Sequence, residues 1–240
     1  MKVKRNLKYV FFLLFIGFVG FLYSFTTTRN TTKKVAEIEV KFLEGNNNFL
    51  THSMVNKLLI QNDSNMVKSA KSVIDLYKLE QQVSKNPYVE ESAVFLTIDG
   101  VLKTTIKQRI PVARIIAKDS SYYIDKEGVN IPLSTVFSAR VVLVSGVVKD
   151  EVKLVLPLIK LILKDDFLQK EIVGITKSNT NEYQFSVRSG DYKIDFGKLE
   201  NVAVKFTKLK AFYNTTFRNK KIQEYKSINV KYHNQVVCTK

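Results

Sequence analysis

Side chains able to do covalent or metal chemistry are few in this chain, and they are scattered. Cys238 is the single cysteine, and His52 and His233 are the two histidines. One thiol allows no intramolecular disulfide, no C-x-x-C pair and no cysteine-built zinc cluster. A lone free cysteine more often packs as a small apolar residue than reacts. Asp165 and Asp166 are adjacent, so their carboxylates need not converge on one substrate, and the pair reads as a solvated helix end. Asp195-Phe196-Gly197 spells a kinase tripeptide, but no glycine-rich loop, V-A-I-K lysine or H-R-D loop accompanies it. Zinc-protease HExxH, GxSxG and EF-hand patterns are also missing from the sequence. The expectation is a protein that is not an enzyme and uses no cofactor, metal or small-molecule substrate.

The remaining chemistry is backbone pairing. The chain closes with two extended segments, Ser227 to Tyr232 and Gln235 to Cys238, around His233-Asn234. A last strand at an open sheet edge offers unpaired N–H and C=O groups, onto which a partner segment can add itself as one more strand.

The elements that must present such an edge follow from the pattern upstream. Tyr9 to Phe25 is an uncharged apolar run of 17 residues, near the lower limit for a helix to cross a hydrocarbon layer about 30 Å thick. Lys2, Lys4, Arg5 and Lys8 precede it with no acid among them, which by the positive-inside rule keeps the N-terminus cytoplasmic and exports the rest. The run is long for a signal-peptide core, and the following Thr-rich stretch lacks a convincing cleavage site, so an uncleaved anchor is expected. The net charge is +16, but the lysines are spread singly rather than clustered, which reads as a solvated surface and not as a nucleic-acid stripe.

After a polar stalk, Ala36, Ile38, Val40 and Phe42 alternate with charged residues as in a half-buried strand. Thr51 is placed to cap a helix carrying Met54, Val55, Leu58 and Leu59. Ser72 or Asp75 can cap a second helix with Leu76, Leu79 and Val83, ended by Asn86-Pro87. Two strands, Val89 to Ile98 and Val101 to Arg109, flank an Asp99-Gly100 turn. Beyond Pro111, read as punctuation between domains, short strands at Tyr122 to Ile124, Val129 to Leu133 and Arg140 to Val144 precede a helix through Val152 to Leu163. Pro157 in that helix predicts a kink or a late start. A meander over Ile172 to Thr176, Tyr183 to Val187 and Tyr192 to Phe196, then a helix carrying Val202, Phe206, Leu209 and Tyr213, lead to the tail.

Four stretches together resemble a known family: Asn86-Pro87-Tyr88-Val89, the run Gln108 to Arg114, the run Tyr122 to Gly128, and the tail Ile228 to Cys238. In that order and spacing the chain resembles the FtsQ/DivIB family of bacterial cell-division proteins, with a Gln-Val-Val-Cys ending most like its Bacteroidota branch. The resemblance implies an α+β fold: a single N-terminal transmembrane helix, a POTRA-like β-α-α-β-β domain, and a mixed, mainly antiparallel β domain with two helices. The expected boundaries are a cytoplasmic head over 1–8, the anchor over 9–25, a stalk over 26–34, the POTRA-like domain over 35–109 and the β domain over 110–240.

It also implies capture of FtsB/FtsL-like partners by the last strands, at the inner membrane and the division septum. Carried onto this chain, Tyr232 matches the family's aromatic position, Ile228 and Val230 the alternating positions before it, and Val236 and Val237 match more loosely. Tyr232 serves equally well as a core or sheet-face aromatic. Two other readings stand beside this one. An outer-membrane assembly or secretion component would need repeated POTRA units or a barrel, neither of which the sequence spells. A cell-wall-binding protein would need a glycan-stacking platform, for which there is no Trp but 11 Tyr.

Overall fold

The computed structural model describes residues 2–32, 34–43, 49–60, 74–118, 120–218 and 222–240. The chain opens on α1 (Lys2–Thr32), 31 residues or about 46 Å at helical rise. Among the described residues it is the one helix long and apolar enough to cross a membrane, over Phe11–Arg29. The polar stretch expected as a stalk continues this helix, with the hydroxyls of Thr26 and Thr28 donating to the carbonyls of Leu22 and Ser24. Threonine satisfies its own hydroxyl in this way without leaving the helix.

By its internal contacts the chain divides into two units, Met1–Asn46 with Leu50–Gln108, and Asn47–Phe49 with Arg109–Lys240. After α1, the first unit runs β1 (Glu37–Leu43), α2 (His52–Ile60), α3 (Leu76–Ser84), β2 (Val89–Leu96) and β3 (Val101–Gln108). Strand order is β1-β3-β2, with β1 parallel and β2 antiparallel to the central β3. Thr51 caps α2 by accepting the Met54 N–H at 3.2 Å, and Asp75 caps α3 by accepting the Lys78 N–H at 2.9 Å. Ser72, the other candidate cap, lies outside the described residues. Gly100 takes a positive φ of 93° in the β2–β3 turn, which an L side chain rarely adopts. The helices bury Val55, Leu59, Leu79 and Val83 against Leu102 and Ile106 of β3. Gln108, itself buried, accepts from the Leu50 N–H at 3.0 Å and donates to the Leu50 carbonyl, satisfying both ends of an otherwise orphaned peptide.

The second unit contains β4 (Pro111–Ile116), β5 (Ser121–Asp125), β6 (Asn130–Pro132), β7 (Val142–Ser145), α4 (Val152–Lys164), α5 (Asp166–Glu171), β8 (Ile172–Lys177), β9 (Tyr183–Val187), β10 (Lys193–Gly197), α6 (Val202–Arg218), β11 (Ser227–Asn229) and β12 (Val237–Thr239). They form one nine-stranded sheet in the order β12-β11-β10-β9-β8-β7-β4-β5-β6. Antiparallel pairs dominate. Three neighbouring pairs are parallel: β4–β7, joined through the β5–β6 hairpin, and β7–β8 and β10–β11, bridged by α4 with α5 and by α6, as parallel strands need a crossover. Alternate strand residues such as Ile115, Val144, Ile175, Phe185 and Ile194 join Val155, Ile159, Ile162, Phe206 and Leu209 of the helices in one core. Their neighbours Arg114, Leu143, Gln184 and Lys193 point away from it.

Three sequence expectations change here. Pro111 is the first residue of the central strand β4 and not merely a break, a position where the missing N–H costs no ladder bond. Pro157 sits inside a continuous α4, and the carbonyl it leaves unpaired belongs to exposed Lys153, within reach of water. Asp165 is the N-cap of the additional short helix α5, accepting the Phe167 and Leu168 N–H groups at 3.1 Å and pairing with Lys210 at 2.6 Å. These donors hold its carboxyl below the usual range, the Lys210 hydrogen bond contributing most.

A buried polar knot ties the helices to the sheet. Glu171 ends α5, and one of its oxygens accepts from Tyr213 of α6 at 3.0 Å, from Tyr192 at 3.3 Å and from Ser189. The single Tyr192 proton is shared between that carboxylate oxygen and the Tyr213 oxygen, the latter nearer at 2.8 Å. Burial pushes the Tyr213 phenol far up, so the proton stays on the donor and the carboxylate keeps its partners. Replacing Tyr213 with Phe is expected to cost about 1.5–3 kcal/mol, the range for hydrogen bonds to a charged group. The check is the urea midpoint, which should fall at constant m-value.

Candidate functional site

The site worth building is the terminal end of the large sheet. β11 ends where the chain turns at Lys231, whose N–H donates to the Asn229 side chain at 3.0 Å, and is preceded by Lys226, whose N–H donates to the Thr239 carbonyl at 2.7 Å and whose carbonyl accepts from the Lys193 N–H at 3.1 Å. On one side β11 runs parallel to β10, with Ile194 opposite Ile228. On the other it pairs antiparallel with β12, with Ile228 opposite Cys238 and Asn229 opposite Val237. The chain reverses at Asn234, which takes a φ of 55°, a conformation asparagine tolerates better than most residues. β12 is the last strand in the sheet order, and its outer side has no strand partner among the described residues.

Burial sorts the five candidate residues. Ile228 and Val230 are fully buried in the core, so their side chains are not at the surface of the unit. Their alternation follows the period of two, but the face it selects is the one covered by α6. Tyr232 is 50 % exposed and Val237 42 % exposed, while Val236 is half-buried and packs against the core edge. The Cys238 thiol is partly covered, and loss of hydration pushes its pKa up, away from the thiolate needed of a nucleophile.

The neighbourhood holds this ribbon in place. Lys208 of α6 donates to the carbonyls of Val230 and Tyr232, fixing the chain just before the reversal. Gly197, with a φ of 74°, leaves room for the Lys231 stem, which a Cβ would meet at 2.6 Å. Lys231 pairs with Glu182 at 3.2 Å and Lys240 with Glu224, so both flanks of the ribbon carry exposed ion pairs. Exposed pairs of this kind contribute little stability and much solubility. Beside the ribbon, a cleft of about 580 Å³ is lined by Phe212 and Thr215 of α6, by Tyr225, and by Gln235 and Val236. Sequence reading did not reach Lys208 or this cleft, because both depend on α6 lying over the last strands, which no spacing announces.

Among the described residues, no group of His, Cys, Asp and Glu is disposed to hold a metal ion. Phe196 of the kinase-like tripeptide is buried against Phe185 and Phe206, and Asp195 accepts from the Gln184 side chain at 2.8 Å. His52 packs edge-on against Phe42, and His233 lies exposed in the terminal turn.

A family model described as FtsQ/DivIB, C-terminal related, matches residues 110–239, and a POTRA-like domain model matches residues 34–107. No curated protein matches the chain.

The burial contrast has a measurable consequence. Ile228→Ala is expected to cost about 2–5 kcal/mol of stability, as for other buried aliphatic truncations. Val237→Ala is expected to change it by less than about 0.5 kcal/mol, as for surface sites. Denaturant unfolding of the full chain, followed by tyrosine fluorescence, separates the two.

Proposed function

This chain belongs to the FtsQ/DivIB family of non-enzymatic cell-division proteins, and we propose that it is a single-pass inner-membrane member that recruits and scaffolds other division proteins at the septum. Its basic head stays in the cytoplasm and the POTRA-like and β domains lie outside, following the charge asymmetry around the apolar helix. The POTRA-like unit, residues 35–109, makes the recruiting contacts with neighbouring membrane proteins. The β domain, residues 110–240, captures an FtsB/FtsL-like partner, whose segment adds as a strand beside β12.

The observation that carries this reading is the exposed outer side of β12, with Val237 on the strand and Tyr232 at the turn leading to it. A strand added there gains main-chain hydrogen bonds, while Tyr232 and the cleft beside α6 supply side-chain selectivity. Individual contacts can be weak, because anchoring both proteins in one membrane raises their effective concentration.

Two measurements test the proposal. Depletion of the protein is expected to give filaments lacking septa; intact division would contradict it. Tyr232→Glu is expected to lower recovery of the FtsB/FtsL-like partner in a membrane pull-down by about tenfold, a loss of about 1.4 kcal/mol. The melting temperature should stay almost unchanged, since the side chain is half exposed. Undiminished recovery would remove Tyr232 from the interface.

A further inference from the structure

The ladder joining β7 and β8 is short, three rungs at the C-terminal part of both strands. β7 already pairs with β4 at Val142, and β8 with β9 at Ile172, yet β7 and β8 pair with each other only from Leu143 and Gly174 onward. The rungs shared by β7 and β8 therefore begin at Leu143 and Gly174, and Val173 falls at the irregularity in the β8–β9 register. A cleft of about 840 Å³ opens there, with Ile110, Val112, Val141, Leu143, Val173 and Leu163 among its walls. Its rim carries Arg140, Lys170 and Arg188, all exposed, and no carboxylate lines it. None of these three cations forms an ion pair among the described residues, whereas Lys177, Lys210, Lys231 and Lys240 elsewhere in the unit do.

We propose that this cleft is a second docking site, separate from the C-terminal edge, and that its occupant is an extended, acidic and aliphatic segment of a partner protein. An apolar floor inside an unneutralised basic rim selects a ligand with the opposite arrangement, aliphatic side chains flanked by carboxylates. Two of the rim residues are arginines, whose planar guanidinium grips a carboxylate by two parallel hydrogen bonds. Strand residues Val142 and Leu143 of β7 and Ile172 and Val173 of β8 form part of the wall, which suits a polypeptide better than a lipid, because a peptide brings both N–H donors and C=O acceptors while an acyl chain brings neither. The site does not depend on strand addition at β12, so either can stand without the other.

The test uses the full chain in phosphatidylcholine nanodiscs and a fluorescein-labelled synthetic peptide alternating Val and Glu, followed by anisotropy. The peptide is expected to bind saturably and to weaken as salt is raised. Arg140→Glu combined with Arg188→Glu should weaken it at least tenfold, while Tyr232→Glu leaves it unchanged. Both arginines are exposed and unpaired, so the double variant should melt where the parent does; an Arg140→Gln, Arg188→Gln pair serves if it does not. Equal binding by the charge-reversed protein, equal binding of a Val and Lys peptide, or no peptide binding at all would overturn the proposal. So would an outcome in which phosphatidylglycerol vesicles bind through the two arginines and the peptide does not, which would make the cleft a lipid site.

Discussion

A sheet that does not close into a barrel must end, and each end leaves backbone donors and acceptors without a strand to take them. The large unit of this chain spends nine strands in one open sheet, so it has two such ends, β6 and β12. Both edge strands are only three residues long, which limits the unpaired backbone that either can offer to an unwanted neighbour. They differ in what surrounds them. β6 contains Pro132, which lacks a donor and discourages further pairing. β12 reads Val-Cys-Thr, three residues at ease in a strand, with an exposed tyrosine and an apolar cleft close by. The asymmetry leaves one edge guarded and the other open among the described residues.

Everything behind β12 serves to hold it still. β11 is flanked on both sides, and its side chains are committed to the core, so the ribbon cannot turn over to present them. α6 reaches across from the buried knot at Glu171 and Tyr213 to the carbonyls that Lys208 caps, joining the rigid centre of the unit to its last turn. A docking strand needs an edge whose position is already fixed, since ordering it on binding would subtract from affinity.

Much of this was legible from residue order, and the parts that were not have physical reasons. The first unit was readable because each element carries its own local signal: alternation in β1, Thr51 and Asp75 as caps, Asp99-Gly100 as the turn. The meander β8–β9–β10 was readable on the same grounds. β4 was missed because Arg114 interrupts a short apolar run, although the pairing of Pro111–Ile116 with two neighbours makes it a central strand. α5 was missed because six residues hold too little periodicity to register, and Asp165 looked like the end of a helix without showing that it also begins one. In the tail, the period of two correctly put Ile228 and Val230 on one face, but which face is covered is a long-range fact supplied by α6.

The central claim is that β12 is an available edge that a partner completes by backbone pairing. Amide hydrogen exchange over residues 236–239, in the full chain with and without the proposed FtsB/FtsL-like partner, tests it most directly. The β12 amides that face away from β11 are expected to exchange fast in the free protein and to become protected in the complex, while the amides of Ile228 and Val230 are slow in both. Protection of those outward amides already in the free protein, or exchange there that the bound partner leaves unaltered, would contradict it.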